Sequence, residues 1–336
     1  MNTPLSILSW GAVSPGGLGV EALENFQNWP TTVASEVADP ARQHLVATID
    51  ASILPEKWRM RPRFRRASPI SHYMIEAAAQ ALAPHPQIER NRLGLIYVSF
   101  IGCSVYSIRF YRQFQKDGRR FASPMLFPET VANSPLSHLA AELEIGGPVY
   151  SQIGDKSCWS SALRTAACWL HNGDAEQVLV IGAEEFEPHQ LEAFRSMRWL
   201  AKPYTRPFAE GAGAVLLGKG PHSGRPSIVS LKDGFCFRSR NESRTAAERC
   251  LAEFAPNLPV LDSAVGWIRP VAIAALKGRT VHDGIPALAH EAFGASCAWD
   301  TIRAAQRLSI HPEERVLIPY WGLSQQIGAA ALEGTP

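Results

Sequence analysis

Short apolar runs alternate with longer stretches of helical spacing along this chain. Leu5–Trp10 reads as a strand that enters the turn Ser14-Pro15-Gly16-Gly17. Between Ser68 and Leu82, residues Ile70, Tyr73, Met74, Ala77, Ala78 and Ala81 recur at intervals that gather them on one face of a helix. Leu93–Phe100 is a nearly unbroken apolar run, the pattern of a strand buried on both faces. Ser137–Leu143 predicts a short helix. Ser157–Asn172 predicts an Ala-rich one stopped at Gly173, because glycine accepts the backbone conformation of a helix C-terminus. Val178–Ile181 and Ala212–Leu217 are further buried strands, the second followed by a loop over Gly218–Arg225. A second series has a strand near Val260, a helix over Ala292–Leu308, and strands around Val316–Tyr320 and Ala329–Leu332. Strands with helices between them predict a layered α/β fold with mostly parallel strands. No short-period repeat is visible, and the two series are compatible with two halves of one fold.

Composition narrows the class. A length of 336 residues allows roughly two ordinary domains or one large α/β unit. With 46% hydrophobic and 19% charged residues, wholesale disorder is excluded. A net charge of +2 gives no global argument for nucleic acid or a membrane surface. Nine Trp residues suggest large apolar contacts, an interface among them. The cysteines (Cys103, Cys158, Cys168, Cys236, Cys250, Cys297) show no Cys-x-x-Cys pair, so a zinc site or disulfide framework is not expected and reduced thiols in a cytoplasm fit best. No signal peptide or membrane span is read.

The stretch Ser123–Leu217 resembles the β-ketoacyl synthases of the thiolase superfamily. Phe127-Pro128-Glu129-Thr130-Val131-Ala132-Asn133-Ser134-Pro135 is similar to the segment ahead of their nucleophile helix. Gly147-Pro148, Gly173-Asp174-Ala175, Val178–Glu184, Arg206-Pro207-Phe208 and Glu210–Ala214 are similar to their next landmarks, in order. Gly11–Gly16 resembles the family's first strand and turn, Arg65–Leu82 its first long helix, and Gly294-Ala295-Ser296 and Trp321-Gly322-Leu323 its last motifs. The resemblance implies one thiolase-like unit over 1–336, layered α-β-α-β-α with two pseudo-symmetric halves: an N-terminal half, 1–218, and a shortened C-terminal half, 226–336.

The departures bear on chemistry. The family's nucleophilic Cys lies eight residues after the Gly-Pro proline and seventeen before the Gly of Gly-Asp, and both counts fall on Lys156. Its His-Gly-Thr motif has no match near Asp262–Pro270. Counting back from Gly294 puts Glu291 at the second His, with His290 one step off, and Pro286 at the Lys position. The glycine-rich gate is reduced to Gly322-Leu323-Ser324-Gln325, and Arg206-Pro207-Phe208 meets Glu210-Gly211 with a loop missing. Decarboxylative condensation needs a thiolate, which a helix N-terminus favours, imidazole donors and an oxyanion hole. A lysine there cannot form an exchangeable thioester, and a glutamate would repel developing negative charge, so no catalytic residue for condensation is expected. Three roles stay open for Lys156: an exposed helix-start residue, a salt bridge to Glu291 that ties the halves together, or a catalytic Lys/Glu pair. Cys158 is the fallback nucleophile and His290 the fallback base. Two helical positions turn a side chain by about 200°, so Cys158 is expected to face away and pack. Cys103, Cys168 and Cys297 read as small core residues.

Lys57, Arg59, Arg61, Arg63, Arg65 and Arg66 form one dense basic stretch. Arg109, Arg112, Lys116, Arg119 and Arg120 form another, interleaved with Tyr106, Phe110, Tyr111 and Phe114. Both suit either a solvated face or the docking of an acidic acyl carrier protein or its phosphopantetheine phosphate, with Arg59, Arg61, Arg63, Arg65 and Arg66 the docking candidates. The resemblance implies a chain-length factor, a non-condensing homologue that pairs with an active ketosynthase and shapes its acyl tunnel in polyketide or fatty-acid-type synthesis. The short form is similar to the factors of aryl polyene-type pigment systems. Interface residues are then expected at Val149, Tyr150, Ser151, Gln152, Ile153, Tyr106 and Phe110. No bound cofactor or metal is expected, since acyl chains arrive on the carrier's phosphopantetheine. A repurposed acyltransferase using Cys158 or a lysine-assisted site, and a silent structural homodimer, are the alternatives.

Overall fold

The computed structural model describes residues 4–34, 44–199 and 206–335. The apolar runs pair into a six-stranded sheet, ordered β2 (Gly17–Leu18), β1 (Leu5–Ser14), β9 (Gly211–Lys219), β7 (Gln177–Glu184), β5 (Leu93–Ser99) and β6 (Val149–Ile153). A second sheet is ordered β10 (Ser227–Cys236), β12 (Gln326–Glu333) and β11 (Arg315–Trp321). A small third joins β3 (Thr32–Val33), β4 (Leu45–Ala47) and β8 (Phe208–Ala209).

The expectation of mostly parallel strands is corrected. Only β7, β5 and β6 run parallel in the main sheet; β9 and β1 alternate in direction, and the second sheet is wholly antiparallel. Only Gly322–Gln325 separates β11 from β12, a hairpin connection too short for the crossover that parallel pairing requires. The strand expected near Val260 is reduced to single bridges with Val281 and Leu317. Strand β10 was not anticipated: its half-buried pattern lacks the continuous apolar run that marks the core strands.

The helices are α1 (Glu21–Glu24), α2 (Glu56–Met60), α3 (Pro69–Leu82), α4 (Ser104–Asp117), α5 (Ser134–Glu142), α6 (Cys158–Asn172), α7 (Pro188–Ser196), α8 (Ser243–Ala252), α9 (Arg269–Ala275) and α10 (Phe293–Ile310). Helix α3 covers one face of the main sheet, α6 and α10 lie between the two sheets, and α8 covers the outer face of the second. The result is the layered α-β-α-β-α arrangement of the thiolase-like fold. Position explains composition. Sandwiched α10 is buried nearly all round, as a helix with apolar neighbours on every side must be. Its start presses on β7 so closely that a methyl at Gly182 would lie 2.1 Å from the Gly294 carbonyl oxygen. Helix α6 ends at Gly173, whose φ of 79° is the left-handed cap expected there. Helix α4 is the exception among the long helices, with Ser104 its only buried residue.

Candidate functional site

Strand β6 leads through Gly154-Asp155-Lys156-Ser157 into α6, and these residues point in different directions. Asp155 accepts hydrogen bonds from the Ser157 hydroxyl (2.6 Å) and, on its other oxygen, from the Ser324 backbone N–H and hydroxyl (2.7 Å each). The Gly322–Gln325 hairpin is thereby fastened to the start of α6. Lys156 turns inward and is 1% exposed, which excludes the exposed helix-start reading. Its Nζ donates to Glu291 Oε2 at 2.9 Å, to the Ser263 carbonyl at 3.1 Å and to Ser263 Oγ at 3.4 Å, so each ammonium proton has an acceptor. The salt-bridge reading is the one realised: Lys156, at the start of α6, meets Glu291, just ahead of α10.

Glu291 is equally occupied. Its second oxygen accepts the Phe293 N–H at 2.7 Å, and its own backbone bonds Pro207 and Ala209 at 2.9 Å each. Phe293 adopts φ 40°, a left-handed backbone that costs a bulky residue roughly 1–3 kcal/mol and persists only where surroundings enforce it. Asp300 and Arg303, one turn apart on α10, add a second buried pair at 3.7 Å. Burial works against the Lys156 ammonium, yet Glu291 and its other anionic neighbours prevail and the pKa is raised. Burial pushes the Asp300 carboxyl up. Desolvating such charges is expensive, and the geometry offsets the cost only because the polar atoms of Lys156 and Glu291 are matched. Chemically, the arrangement holds a charge in place; it offers no free lone pair to attack a thioester.

The other candidates lie elsewhere. Cys158 packs against Gly154, where an added methyl would lie 2.5 Å from the sulfur, and burial beside Asp155 pushes its thiol up to about 11. That environment opposes the thiolate. His290 packs at a tilt against Trp29 with ring centroids 4.8 Å apart, and burial lowers its pKa to about 4. Pro286 contributes only its carbonyl, which accepts from Arg303 at 2.7 Å. Cys103 and Cys297 are buried, but Cys168 is exposed. The apolar stretch around Cys168 is a helix, and its buried face runs through Trp159, Leu163, Ala166 and Leu170 instead.

Sequence reasoning missed Ser263, Asp300 and Arg303. Asp300 and Arg303 were detectable as charges at i, i+3 inside an otherwise apolar helix, which only burial in pairs explains. An aromatic cluster was also unforeseen. Phe293 lies 4.8 Å from Phe100, 5.0 Å from Phe194 and 5.9 Å from Phe208, while Trp199 stacks on Phe194 at 5.8 Å. The rings come from four segments of the chain: the residue just past the end of β5, α7 and the residues after it, β8 and the start of α10.

The surface contrasts with this interior. Strand β6 is the edge of the main sheet, and Val149, Tyr150 and Ile153 are 42%, 49% and 46% exposed; Ser151 and Gln152 are half-buried between them. On α4, Tyr106 and Phe110 are half-buried, while Tyr111 and Phe114 are exposed. Phe110 packs at a tilt against exposed Phe127, ring centroids 5.5 Å apart. The basic stretch splits neatly: Trp58 and Phe64 point in, and Arg59, Arg61, Arg63, Arg65 and Arg66 point out. Trp58 is held by an N–H bond to Glu76 of 2.7 Å.

The family model for the β-ketoacyl synthase N-terminal domain matches residues 9–221, and the chain belongs to that family. Among curated proteins, none matches the sequence. The solved structures it resembles share its fold at low identity. The ishigamide ketosynthase/chain length factor is 17% identical with a TM-score of 0.82, over 99% of this chain and 100% of that one. A ketosynthase in complex with its chain length factor, from Xenorhabdus doucetiae, is 14% identical at 0.79, over 99% and 98%. A β-ketoacyl synthase from Burkholderia phymatum is 16% identical at 0.77, over 99% and 100%. Among the described residues, no helix is long and apolar enough to cross a membrane.

Proposed function

We propose that this chain is a non-condensing member of its family that pairs with an active β-ketoacyl synthase as its chain-length-factor subunit. The observation that carries the reading is the saturated Lys156–Glu291 pair, which occupies the nucleophile position without a nucleophile. The surface supports it. A 14-residue helix whose only buried residue is Ser104 gains little from this chain alone, and helices in water depend on tertiary burial for their stability. An apolar sheet edge also invites pairing with another strand. In this reading, β6 and α4 meet the ketosynthase, and Phe110 and Phe127 present bulk at the end of the acyl tunnel. The partner supplies the cysteine and imidazoles. The outward arginines of 59–66 receive the acidic carrier protein that brings the acyl chain on its phosphopantetheine.

The test is co-expression with an intact ketosynthase from the same organism, followed by size exclusion and a condensation assay with malonyl and acyl carrier substrates. Co-elution is expected, with activity that requires both chains and with product length that shifts on Phe110→Ala. Condensation by the isolated chain, or elution as a homodimer that ignores the ketosynthase, would overturn the reading. The similarity to the ketosynthase/chain length factor structures supports the choice of partner, as does that to a type II acyl-carrier protein in complex with its ketosynthase.

A further inference from the structure

A cavity of about 470 Å³ lies between the arginine loop and α4, with Arg65, Arg66, Tyr106, Arg109, Ser123 and Met125 among its lining and no acidic residue there. The two basic stretches, more than forty residues apart in sequence, thus share one concave surface. Arg109 lies over the Tyr106 ring at 5.7 Å, and Arg66 reaches the Met125 sulfur at 3.3 Å.

Both walls hang on a single carboxylate. Glu185 follows directly on β7 and is fully buried. Its Oε2 accepts from the Ser68 hydroxyl and from the Ile70 N–H (3.1 Å) at the start of α3. Its Oε1 accepts from the Val105 N–H (2.8 Å) and the Ser104 hydroxyl (3.5 Å) at the start of α4. Ser104 Oγ also accepts from Gln190 of α7. Each oxygen therefore serves one helix N-terminus; burial pushes the carboxyl up to about 7, and these hydrogen bonds offset part of that cost. Arg65 and Arg66 stand two to three residues before Ser68, and Arg109 stands one turn after Val105. Glu185 thereby ties together the two helix starts that carry the walls of the cavity.

We propose that Glu185 is the positioning residue of an anion pocket in which Arg65, Arg66 and Arg109 jointly receive the phosphodiester of the carrier protein's prosthetic arm. This rests on the reading above that a carrier protein docks on this face. Guanidiniums lining one cavity can meet a phosphate's oxygens with charge-assisted bonds, and the pairing is lost if one wall shifts by an ångström or two. The docking arginines and the pocket then act separately: Arg59 and Arg63 attract the acidic protein, while the pocket reads the arm.

The experiment titrates the full chain with carrier protein in two forms, with and without its phosphopantetheine arm, by fluorescence anisotropy. The wild type should prefer the form with the arm by about tenfold, the weight of one or two charge-assisted contacts. Glu185→Gln replaces one acceptor oxygen with a donor facing N–H groups and should erase that preference while leaving the armless form's affinity unchanged. Glu185→Asp keeps both acceptors and should restore part of it. Arg59→Ala with Arg63→Ala should weaken both forms alike. Should Glu185→Gln fail to fold, Ser104→Ala, which removes one donor and leaves the carboxylate bonded to Val105, should halve the preference. Equal wild-type affinity for the two forms, or an unaltered preference in folded Glu185→Gln or Ser104→Ala, overturns the proposal and leaves carrier docking standing. Absence of binding by either form overturns both.

Discussion

The Lys156–Glu291 region and the α4–β6 region differ in almost every physical respect. The first is buried, charged and matched donor to acceptor. The second is exposed, apolar and underused by its own chain. Ordinary folding rules favour the reverse, with apolar groups inside and ions in water. A condensing enzyme keeps its inner site open to substrate. Here the inner site is filled by an ion pair and backed by an aromatic cluster, and the unfinished surface lies outside. The contrast teaches that buried charge is held here because the polar atoms of Lys156 and Glu291 are matched, while apolar side chains of β6 and α4 are left uncovered by the rest of the chain.

The largest effect should come from breaking the inner pair. Lys156→Ala leaves Glu291 buried and uncompensated and should cost about 3–5 kcal/mol in urea unfolding, whereas Lys156→Met combined with Glu291→Leu should recover most of that loss. A cost below about 1 kcal/mol for the single variant would mean that the pair does not join the halves. The outer region should respond in the opposite way. Ile153→Asp or Phe110→Asp should leave the unfolding of the isolated chain within about 0.5 kcal/mol of wild type. Either should weaken co-elution with the ketosynthase at least about hundredfold. Unchanged assembly would move the interface elsewhere.

A smaller effect should appear with pH. Burial lowers the pKa of His72 and of His290 to about 4, with Arg59 and His138 adding to the first and Arg206 to the second. The unfolded chain protonates near pH 6.5 while the folded one resists until about 4. Their contribution to stability is therefore complete above pH 6.5 and lost progressively toward pH 4. The doubly substituted His72→Gln, His290→Gln protein should show a shallower fall than wild type over that window. An identical slope would mean that both rings charge without penalty. The smallest effect concerns Cys158. Its raised thiol should make it slow toward iodoacetamide at pH 7.5, with exposed Cys168 and Cys236 labelled first. An acyl adduct at Cys158 after incubation with acyl-carrier substrate would instead favour an acyltransferase.

Much of this was legible in the chain. The strands β5, β7 and β9 show as apolar runs because a strand covered on both faces carries its whole environment in its sequence. Helix α6 and its Gly173 stop show for local reasons, and the place of Lys156 is an expectation counted from the landmarks of the resemblance. Sheet direction was not legible, because antiparallel and parallel neighbours bury the same residues. Nor was the exposure of Cys168, since an apolar stretch does not reveal which of its residues face the core until its neighbours are in place.

Counting along the sequence from the landmarks of the resemblance leads to the expectation that a lysine holds the nucleophile position and a glutamate an imidazole position. Only the tertiary structure decided what those residues do. Lys156, Ser263 and Glu291 lie more than a hundred positions apart at the extremes, and no local rule joins them. The energy of a charge depends on whether another polar group waits within hydrogen-bond distance and whether water is shut out. Both conditions are set by the packing of α10 between the two sheets. The same holds for Glu185, whose sequence neighbourhood is unremarkable and whose two oxygens acquire meaning only where two helix ends converge.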